Sequence, residues 1–384
     1  MANYFSSRFK LGILGGGQLG KMLLYDTRKF DIRTKVMDPS AEAPCRIACN
    51  EFVQGDLMDY DTVIKFAKDV DVLTIEIENV NVDALQDLEK QGKKVYPSAK
   101  TLKTIRDKGT QKEFYRKHHI PTSDFTCYAS KDEVLSAQDS DWSLPKVWKS
   151  RTGGYDGRGV QVLKTADDLK KIADVPCLVE DLVDYELELA VIVARSVNGE
   201  IKTYPVVEME FHPTANQVEY VICPARISDE ISQKAQDVAT KVSEAYEHVG
   251  LLAVELFLTQ DDDILVNEVA PRPHNSGHYS IEGAFTNQFE QHLRAILDLP
   301  LGATDSKVGA VMVNLVGDAK HEGDVYYENI EEIMKLKGVT PHIYGKAQTR
   351  PFRKMGHVTI VDQDVNVARE TAEQVKGLIR VISL

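Results

Sequence analysis

The most informative segment of the chain reads Asn267-Glu268-Val269-Ala270-Pro271-Arg272-Pro273-His274-Asn275-Ser276-Gly277-His278. An apolar run from Leu252 to Leu258 precedes it and carries Glu255, and an acidic turn at 261–263 joins the two. This pattern predicts a β-hairpin with Glu255 and Glu268 on adjacent strands. Mg²⁺ binds carboxylate oxygens and often takes its remaining ligands from substrate phosphates. The pair therefore predicts a site for a nucleotide-bound Mg²⁺, and the alternative is two solvated acids on a surface hairpin.

Length and composition restrict the class of protein. A chain of 384 residues with 43% hydrophobic and 27% charged residues is typical of a soluble protein with about two or three domains. The net charge of -13 argues against nucleic acid or an anionic membrane as a partner. Five cysteines without a Cys-x-x-Cys pair favour a reducing cytoplasm over a disulfide framework or structural zinc. The first ten residues do not resemble a signal peptide, and no apolar run approaches a membrane span.

The order of predicted elements indicates several units. Strand and helix patterns alternate over about the first hundred residues, which predicts a parallel, doubly wound sheet. The chain is expected to be helical from Thr101 to His118, and a smaller α/β unit that ends at Glu180 follows. Strands dominate from Glu186 to Ile227, and a helix from Ser232 to Val249 leads into the hairpin. After Leu301 a tail of strands and turns follows.

Two glycine-rich segments point to nucleotide chemistry. Gly15–Gly20 has the G-x-G-x-x-G spacing, and Asp38 ends the next strand, where a ribose-binding acid is expected. Taken alone, this segment predicts a dinucleotide-dependent oxidoreductase, or a turn with glycines needed only for tight packing. The segment Gly153–Gly159 has four glycines whose amides can approach phosphate oxygens, and Lys149 precedes it on a strand. A plain hairpin turn is the alternative there.

Together these segments resemble the ATP-grasp superfamily and, within it, the N5-carboxyaminoimidazole ribonucleotide synthetases of purine biosynthesis. The resemblance runs from Leu11 to about Asp362 and keeps the family's motif order. The strings that carry it are Gly15–Met22, Thr74–Asn79, Arg151–Gly159, Ala270–His278, Ile343–Lys346 and Arg353–His357.

The resemblance implies an ATP-grasp fold of mixed α/β and α+β type with an N-terminal Rossmann-like, pre-ATP-grasp parallel sheet. We expect a Rossmann-like domain over 1–100, a small ATP-grasp lobe with the glycine-rich loop over 101–184, and a large lobe with a C-terminal substrate-phosphate subdomain over 185–384. The implied enzyme is a ligase that uses ATP and Mg²⁺ to join bicarbonate to 5-aminoimidazole ribonucleotide through carboxyphosphate, releasing ADP and phosphate. The family also suggests a homodimer.

The resemblance implies roles for particular residues. Mg²⁺ would be held by Glu255 and Glu268. ATP would be contacted by Lys108, Lys149, Gly154, Tyr155, Asp156, Gly157, Arg158, Gly159, Glu180, Asp181, Leu182, Val183, Glu188, His212, Asn267 and Glu268. Bicarbonate and the aminoimidazole would be surrounded by the catalytic residues Tyr155, Asp156, Arg158, Arg272, His274 and Asn275. The remaining substrate contacts, including those to the ribonucleotide phosphate, would come from Gln18, Glu76, Asn79, Lys346, Arg353 and Lys354.

Two positions depart from the family pattern. Lys108 stands where the family often has arginine, so its phosphate contact is expected to be single-pronged. The family's nucleotide-contacting histidine is expected one position earlier than His212, where this chain has Phe211.

Three rival functions remain open at this point. The oxidoreductase leaves the second glycine segment and the Glu255/Glu268 pair unexplained. A catalytically inactive ATP-binding sensor would not need both glutamates, Lys149 and Arg272. A ligase for another phosphoribosyl amine or a biotin-dependent carboxylase lies within the same superfamily, although the sequence lacks a Met-Lys-Met biotin-attachment string.

Overall fold

A parallel five-stranded sheet forms the N-terminal part of the chain. The computed structural model describes residues 4–138, 142–153, 159–213 and 217–384. The strand order is β3-β2-β1-β4-β5, and every neighbouring pair is parallel. The strands are β1 (Lys10–Leu14), β2 (Arg33–Asp38), β3 (Glu51–Gln54), β4 (Val72–Ile75) and β5 (Lys94–Tyr96). Helices α1 (Gln18–Lys29), α2 (Tyr60–Ala67) and α3 (Val82–Lys90) connect them. The predicted doubly wound sheet is confirmed, and its central strands are buried as parallel strands usually are.

The helical segment expected from Thr101 to His118 is confirmed, although a short break divides it into two helices. They are α4 (Ala99–Ile105) and α5 (Lys108–Lys117). Asp107 lies between them in an extended conformation, and its carboxylate accepts a hydrogen bond from the amide of Thr110 at 2.9 Å. Arg151 donates two further bonds to the same carboxylate. Asp107 therefore starts a new helix with its side chain instead of continuing the old one.

A four-stranded antiparallel sheet follows, in the order β6-β9-β7-β8. Its strands are β6 (Phe125–Tyr128), β7 (Lys146–Ser150), β8 (Val160–Leu163) and β9 (Cys177–Asp181), with helices α6 (Lys131–Ala137) and α7 (Ala166–Leu169). Strands β7 and β8 pair from Lys149 opposite Val160, so the glycine-rich segment connects the two arms of a hairpin. One face of the sheet packs on α6 and α7 through Trp148, Leu163 and Leu169.

The largest sheet has nine strands and continues into the C-terminal part of the chain. Its order is β15-β14-β10-β12-β13-β16-β20-β18, and β11 pairs with β10. The strands are β10 (Tyr185–Arg195), β11 (Ile201–Thr203), β12 (Val207–Phe211), β13 (Val218–Cys223), β14 (Gly250–Thr259), β15 (Ile264–Ala270), β16 (Gly309–Val316), β18 (Val339–Ile343) and β20 (Lys354–Asp362). A small sheet, β19-β17-β21, is built from β17 (Gly323–Glu328), β19 (Gln348–Thr349) and β21 (Arg380–Ser383).

Five helices cover this larger unit: α8 (Asp229–Tyr246), α9 (Ser280–Gly283), α10 (Gln288–Ile296), α11 (Ile330–Ile333) and α12 (Val365–Leu378). Apolar residues of α8 at helical spacing, Ala235, Ala239 and Val242, pack on Val191 and Val254 of the sheet. Helix α10 packs instead against α1 and the N-terminal sheet, through Phe289, Leu293 and Ile296. None of the helices in the described ranges has the length and apolar composition of a membrane span.

We propose that the chain divides at 1–100, 101–184 and 185–384. The N-terminal parallel sheet ends at Tyr96, and the small antiparallel sheet ends at Asp181. Strands from both halves of the last segment share the nine-stranded sheet. These boundaries support keeping the C-terminal strands with the large lobe.

Leu73 provides a test of the N-terminal core. Its side chain lies fully buried in β4 against Phe66, Val70 and Leu85. We expect Leu73→Ala to lower the free energy of unfolding by about 2 to 5 kcal/mol, because it removes buried methyl groups and leaves a cavity. Leu135→Ala is the matched control, since Leu135 is 40% exposed and its loss should change stability by only about 0.5 kcal/mol. Urea denaturation followed by circular dichroism measures both, and equal effects would contradict this core.

Candidate functional site

The predicted hairpin is confirmed, and it brings the two glutamates together. Strands β14 and β15 are antiparallel with Glu255 directly opposite Glu268, and a bulge follows Glu255. Burial and the neighbouring Glu268 raise the pKa of Glu255. Lys108 forms an ion pair with Glu268 and holds the pKa of that carboxylate below its ordinary value. Two close carboxylates that differ in this way form an acidic site ready for a cation.

Lys149 of β7 lies beside the hairpin. Its ammonium donates a hydrogen bond to Asn267 Oδ1 at 3.0 Å and forms an ion pair with Glu180 of β9. Lys112 of α5 approaches the other oxygen of Glu180 at 2.7 Å. Burial acts against the charge of Glu180, but the two ammonium groups outweigh it and lower its pKa to about 2. A buried chain of alternating charges, Lys112, Glu180 and Lys149, therefore fixes the position of Lys149.

Lys112 was not identified from the sequence. It is 2% exposed, and its three donors reach Thr122 Oγ1 at 2.7 Å, Ser123 Oγ at 2.8 Å and Glu180. Burial lowers its pKa to about 8 although Glu180 acts in the opposite direction. A lysine in a basic amphipathic helix gives no sign of such burial, because lysines are usually exposed.

The predicted adenine and ribose edge lies at the end of β9 and the start of β10. Asp181 pairs with Lys146, and Leu182 is exposed while Val183 is partly buried. Glu188 is partly buried, and burial raises its pKa although Lys149 acts in the opposite direction. Tyr185 stacks on Phe257 with 4.8 Å between ring centroids. The backbone of 180–183 and the carboxylate of Glu188 thus border the same region as Lys149.

Part of the predicted nucleotide loop lies outside the described residues, namely Gly154, Tyr155, Asp156, Gly157 and Arg158. Both ends of the loop are described. Gly159 accepts a hydrogen bond from the amide of Ser150 at 2.9 Å, immediately after Lys149. Gly153 and Gly159 have φ values of 79° and 73°, a backbone conformation that favours glycine.

The loop after β15 carries three of the six predicted catalytic residues, and each of the three contacts a different partner. Arg272 lies 2.9 Å from the carboxylate of Glu78, and His274 Nε2 lies 3.5 Å from Glu255. Asn275 exchanges two hydrogen bonds of 2.9 Å with Asn314 of β16. The loop therefore connects the paired glutamates with the N-terminal sheet and the C-terminal strands. Glu78 was not singled out from the sequence, although it belongs to the same motif as Glu76.

The first glycine turn is held by two acidic side chains. Asp38 accepts hydrogen bonds from the amides of Gly16 and Ser40, each at 2.8 Å. Glu76 accepts a bond from Leu19 N at 3.1 Å, and burial raises its pKa to about 7 although Arg272 opposes the shift. Gln18 is partly buried at the first position of α1. Asp38 is thus bonded to the turn itself, which disfavours its role as a ribose-binding acid in an oxidoreductase.

The basic residues of the tail also lie close together. Lys346 donates a hydrogen bond to the carbonyl of Lys354 at 2.7 Å, and Arg353 donates one to the carbonyl of Gln348 at 2.5 Å. The charge of Lys354 acts on Glu255, which connects this cluster with the acidic pair. Lys21, also missed from the sequence, donates to the carbonyl of Ile343 at 2.8 Å and so joins the glycine turn to the same strand end.

Two residues that were predicted to contact ATP or substrate, His212 and Asn79, lie at the edge of the candidate site. The ring of His212 lies 6.0 Å from that of Phe352, next to Arg353. A bulge between Glu210 and Phe211 interrupts the pairing of β12 just before His212. Asn79 is exposed, and its side-chain oxygen lies 3.4 Å from Arg106.

The acidic pair fits a divalent cation whose remaining ligands come from elsewhere. In the parts of the chain that the structure describes, no three His, Cys, Asp or Glu side chains cluster as a metal cage. Mg²⁺ commonly uses one or two carboxylates together with nucleotide phosphates. Glu255 and Glu268 supply such a donor set, and the ammonium groups of Lys108 and Lys149 contact Glu268 and Asn267 beside it.

Comparison with known families agrees with this geometry. Residues 9–106 match the ribonucleotide synthetase preATP-grasp domain, 113–289 the ATP-grasp domain, and 310–371 the phosphoribosylaminoimidazole carboxylase C-terminal domain. The N5-carboxyaminoimidazole ribonucleotide synthase of Bacillus subtilis is 39% identical over 92% of this chain and 91% of its own length. The chain belongs to this synthase family. The predicted ATP-grasp fold is thereby confirmed, together with its N-terminal parallel sheet.

Solved structures of the family superpose closely on the chain. The Thermotoga maritima synthetase has a TM-score of 0.89 at 41% identity and covers 98% of this chain and 100% of its own. The Aspergillus clavatus synthase, in complex with ADP and 5-aminoimidazole ribonucleotide, has a TM-score of 0.89 at 34% identity and covers 97% of this chain and 98% of its own. The chain spans about two thirds of the phosphoribosylaminoimidazole carboxylase of Saccharomyces cerevisiae, which is 37% identical over 96% of this chain and 66% of its own length.

Lys112→Met tests the buried chain of charges. We expect the free energy of unfolding to fall by about 3 to 5 kcal/mol, because Glu180 loses one of its two buried partners. Lys170→Met is the matched control, since Lys170 pairs with Asp167 where both side chains are 76% exposed. Thermal and urea unfolding of both variants measure the difference. Similar stabilities for the two variants would contradict a buried role for Lys112.

Proposed function

We propose that the chain catalyses the reaction for which its family is named. ATP, bicarbonate and 5-aminoimidazole ribonucleotide would give N5-carboxyaminoimidazole ribonucleotide, ADP and phosphate, a step of purine biosynthesis. The observation that carries the proposal is the convergence at Glu255. Glu268, directly opposite Glu255, pairs with Lys108. The carboxylate of Glu255 lies 3.5 Å from His274 Nε2, and the charge of Lys354 acts on it. Groups suited to ATP, to bicarbonate and to a phosphate monoester therefore meet in one place.

The reaction needs charge stabilisation more than a covalent nucleophile. Bicarbonate is a poor electrophile, so an oxygen of bicarbonate first attacks the γ-phosphorus of ATP, and ADP leaves. The exocyclic amine of the ribonucleotide then attacks the carbon of carboxyphosphate, phosphate leaves, and the nitrogen loses a proton. Lys108 and Lys149 would bind the ATP phosphates, and Arg272 would face the negative charge of the transferring group.

Mg²⁺ is proposed as the cofactor besides ATP. Glu255 and Glu268 would hold it, and when bound it would supply positive charge at the phosphates. Asn267 would orient Lys149 through the hydrogen bond that joins their side chains.

The acceptor side of the proposed site has two parts. His274 and Asn275 would line bicarbonate and the aminoimidazole, and the turn with Gln18 and Glu76 would complete that face. Lys346, Arg353 and Lys354 would bind the ribonucleotide phosphate, because a phosphate monoester needs a local basic site in a chain of net charge -13. Asn79 and His212 remain proposed contacts at the edge.

We propose that the chain acts in the cytoplasm. The described cysteines are all free thiols, which supports a reducing cytoplasm. We propose a homodimer because of the family resemblance, with small molecules and not nucleic acid or membrane as the other partners.

Glu268→Gln tests the function and the acidic pair together. The wild type should release ADP only when both bicarbonate and aminoimidazole ribonucleotide are present, and Glu268→Gln should abolish this turnover with the fold intact. Glu255→Gln should behave in the same way. Glu230→Gln, at a side chain that is 78% exposed, is the matched control and should retain wild-type rates. Near-normal ATP consumption by folded Glu268→Gln at saturating Mg²⁺ would refute the assignment.

Arg353→Ala separates substrate binding from ATP chemistry. Loss of a charge-assisted contact of about 1.5 to 3 kcal/mol should raise the KM for aminoimidazole ribonucleotide roughly 10- to 150-fold. The KM for ATP should change little. Arg380→Ala is the control, because Arg380 is 51% exposed and pairs with Asp318 on the surface. Steady-state titration of each substrate decides the matter, and a raised KM for ATP with an unchanged KM for the ribonucleotide would overturn the placement.

A further inference from the structure

Gln288 holds in place the backbone of the loop after β15, the catalytic loop that carries Arg272, His274 and Asn275. It is the first residue of α10 and its side chain is fully buried. Its Oε1 accepts a hydrogen bond from His274 N at 2.9 Å, and its Nε2 donates one to His274 O at 2.8 Å. A single side chain therefore forms hydrogen bonds with both backbone polar groups of His274, the N–H and the C=O. The amide orientation is fixed by this arrangement, because the reverse orientation would place donor against donor and acceptor against acceptor.

The second hydrogen of Gln288 Nε2 is also used. His278 Nδ1 lies 2.9 Å from Nε2, and an amide nitrogen can only donate, so the imidazole accepts through Nδ1. His278 is 1% exposed and stacks on His357 with 4.6 Å between ring centroids. The loop is thus attached at His274 and at His278 to one buried amide, whose four hydrogen-bonding positions are nearly all filled.

The close approach of Gln288 depends on Gly277. A Cβ atom at Gly277 would lie 2.5 Å from Gln288 Oε1 and 2.7 Å from Cδ, closer than side-chain atoms approach one another. The backbone amide of Gln288 is also linked to the loop, since it donates to Ser280 Oγ at the start of α9 at 2.9 Å, and Ser280 Oγ donates to the carbonyl of Gly277 at 2.6 Å. Gln288 and the loop are therefore packed without space for an alternative conformation.

The backbone that Gln288 holds belongs to the segment that carries Arg272, His274 and Asn275, the three side chains proposed to face the acceptor substrates. Arg272 and Asn275 flank His274 in sequence, and their side chains reach Glu78 and Asn314. His274 itself reaches Glu255. A shift of the backbone at His274 would move the side chains of Arg272, His274 and Asn275 together. Lys108 and Lys149 lie on other elements and would stay in place.

We propose that Gln288 is a positioning residue for the acceptor half of the site, holding the loop so that Arg272, His274 and Asn275 meet bicarbonate and the aminoimidazole in the productive geometry. This role rests on the proposed function. The positioning role predicts that loss of Gln288 affects the acceptor substrates and leaves ATP binding unchanged.

Gln291 provides a close control on the same helix. It is also fully buried, and it clamps a peptide in the same way, because its Nε2 donates to Gly302 O at 3.0 Å and its Oε1 accepts from Gly302 N at 2.8 Å. Gly302 lies in the connection after α10 and not in the catalytic loop. Replacement of either glutamine by methionine removes two hydrogen bonds to the backbone at nearly constant volume, and Gln288→Met also removes the bond to His278, so Gln288→Met should lose somewhat more stability than Gln291→Met.

The experiment compares Gln288→Met with Gln291→Met in the full chain. For each folded variant, kcat and the KM values for ATP, bicarbonate and aminoimidazole ribonucleotide are measured together with the melting temperature. We expect Gln288→Met to lose about 100-fold in kcat/KM for the ribonucleotide, since small misplacements of reacting groups have effects of this size. Its KM for ATP should stay within about twofold of wild type, a range that corresponds to under half a kcal/mol. Gln291→Met should keep wild-type kinetics despite its lower melting temperature.

Gly277→Ala keeps the proposal testable if Gln288→Met does not fold. The added methyl group displaces the Gln288 amide without removing it, and the same selective loss in kcat/KM for the ribonucleotide is expected. Equal kinetic losses in the Gln288 and Gln291 variants, or wild-type kinetics in folded Gln288→Met or in Gly277→Ala, would overturn the positioning role alone. Failure of the wild type itself to release ADP in response to bicarbonate and ribonucleotide would instead overturn the proposed function, and the positioning role with it.

Discussion

Two carboxylates held opposite each other across a hairpin are the constraint around which the site is organised. Glu255 and Glu268 repel, and burial makes the repulsion stronger than it would be in water. The surrounding cations offset this cost. Lys108 pairs with Glu268, and Lys354 acts on Glu255 from the C-terminal strands. The acidic pair is therefore surrounded by cations that come from different elements of the chain.

The lysines need support of their own, because a buried ammonium group is costly unless it is paired. Glu180 provides this support by accepting Lys149 and Lys112 on its two oxygens. These residues come from β7, β9 and α5, and Lys149 reaches across to Asn267 of the hairpin. The four-stranded sheet and the nine-stranded sheet therefore meet through charged contacts at the site, while each has a separate apolar core.

Helix α10 connects the catalytic loop with the N-terminal sheet. One of its faces packs on α1 through Phe289 and Leu293, and His292 reaches Thr74 of β4 at 3.0 Å. Its first residue, Gln288, bonds the loop that carries His274. The glycine turn at the start of α1 and the loop after β15 are thus positioned by the same helix. The turn has the spacing of a dinucleotide site, but Asp38 and Glu76 are bonded to the turn itself, which disfavours Asp38 as a ribose-binding acid.

The sequence by itself determined the parallel N-terminal sheet, the Glu255/Glu268 hairpin and most of the proposed site residues. Local patterns suffice for the sheet and the hairpin, because strand periodicity, turn residues and motif spacing act over a few residues, whereas most of the site residues come from the resemblance to the family. Only the tertiary structure decided which distant groups meet. Lys112 and Gln288 have no local signature, and the motifs that contain Lys21 and Glu78 do not reveal the partners of these two residues, which lie far away in the chain. The break at Asp107 was missed for a similar reason, as its carboxylate is shared with Arg151 of another strand end. Long-range pairing of buried polar groups is a property of the packed fold, and helical or strand periodicity contains no record of it.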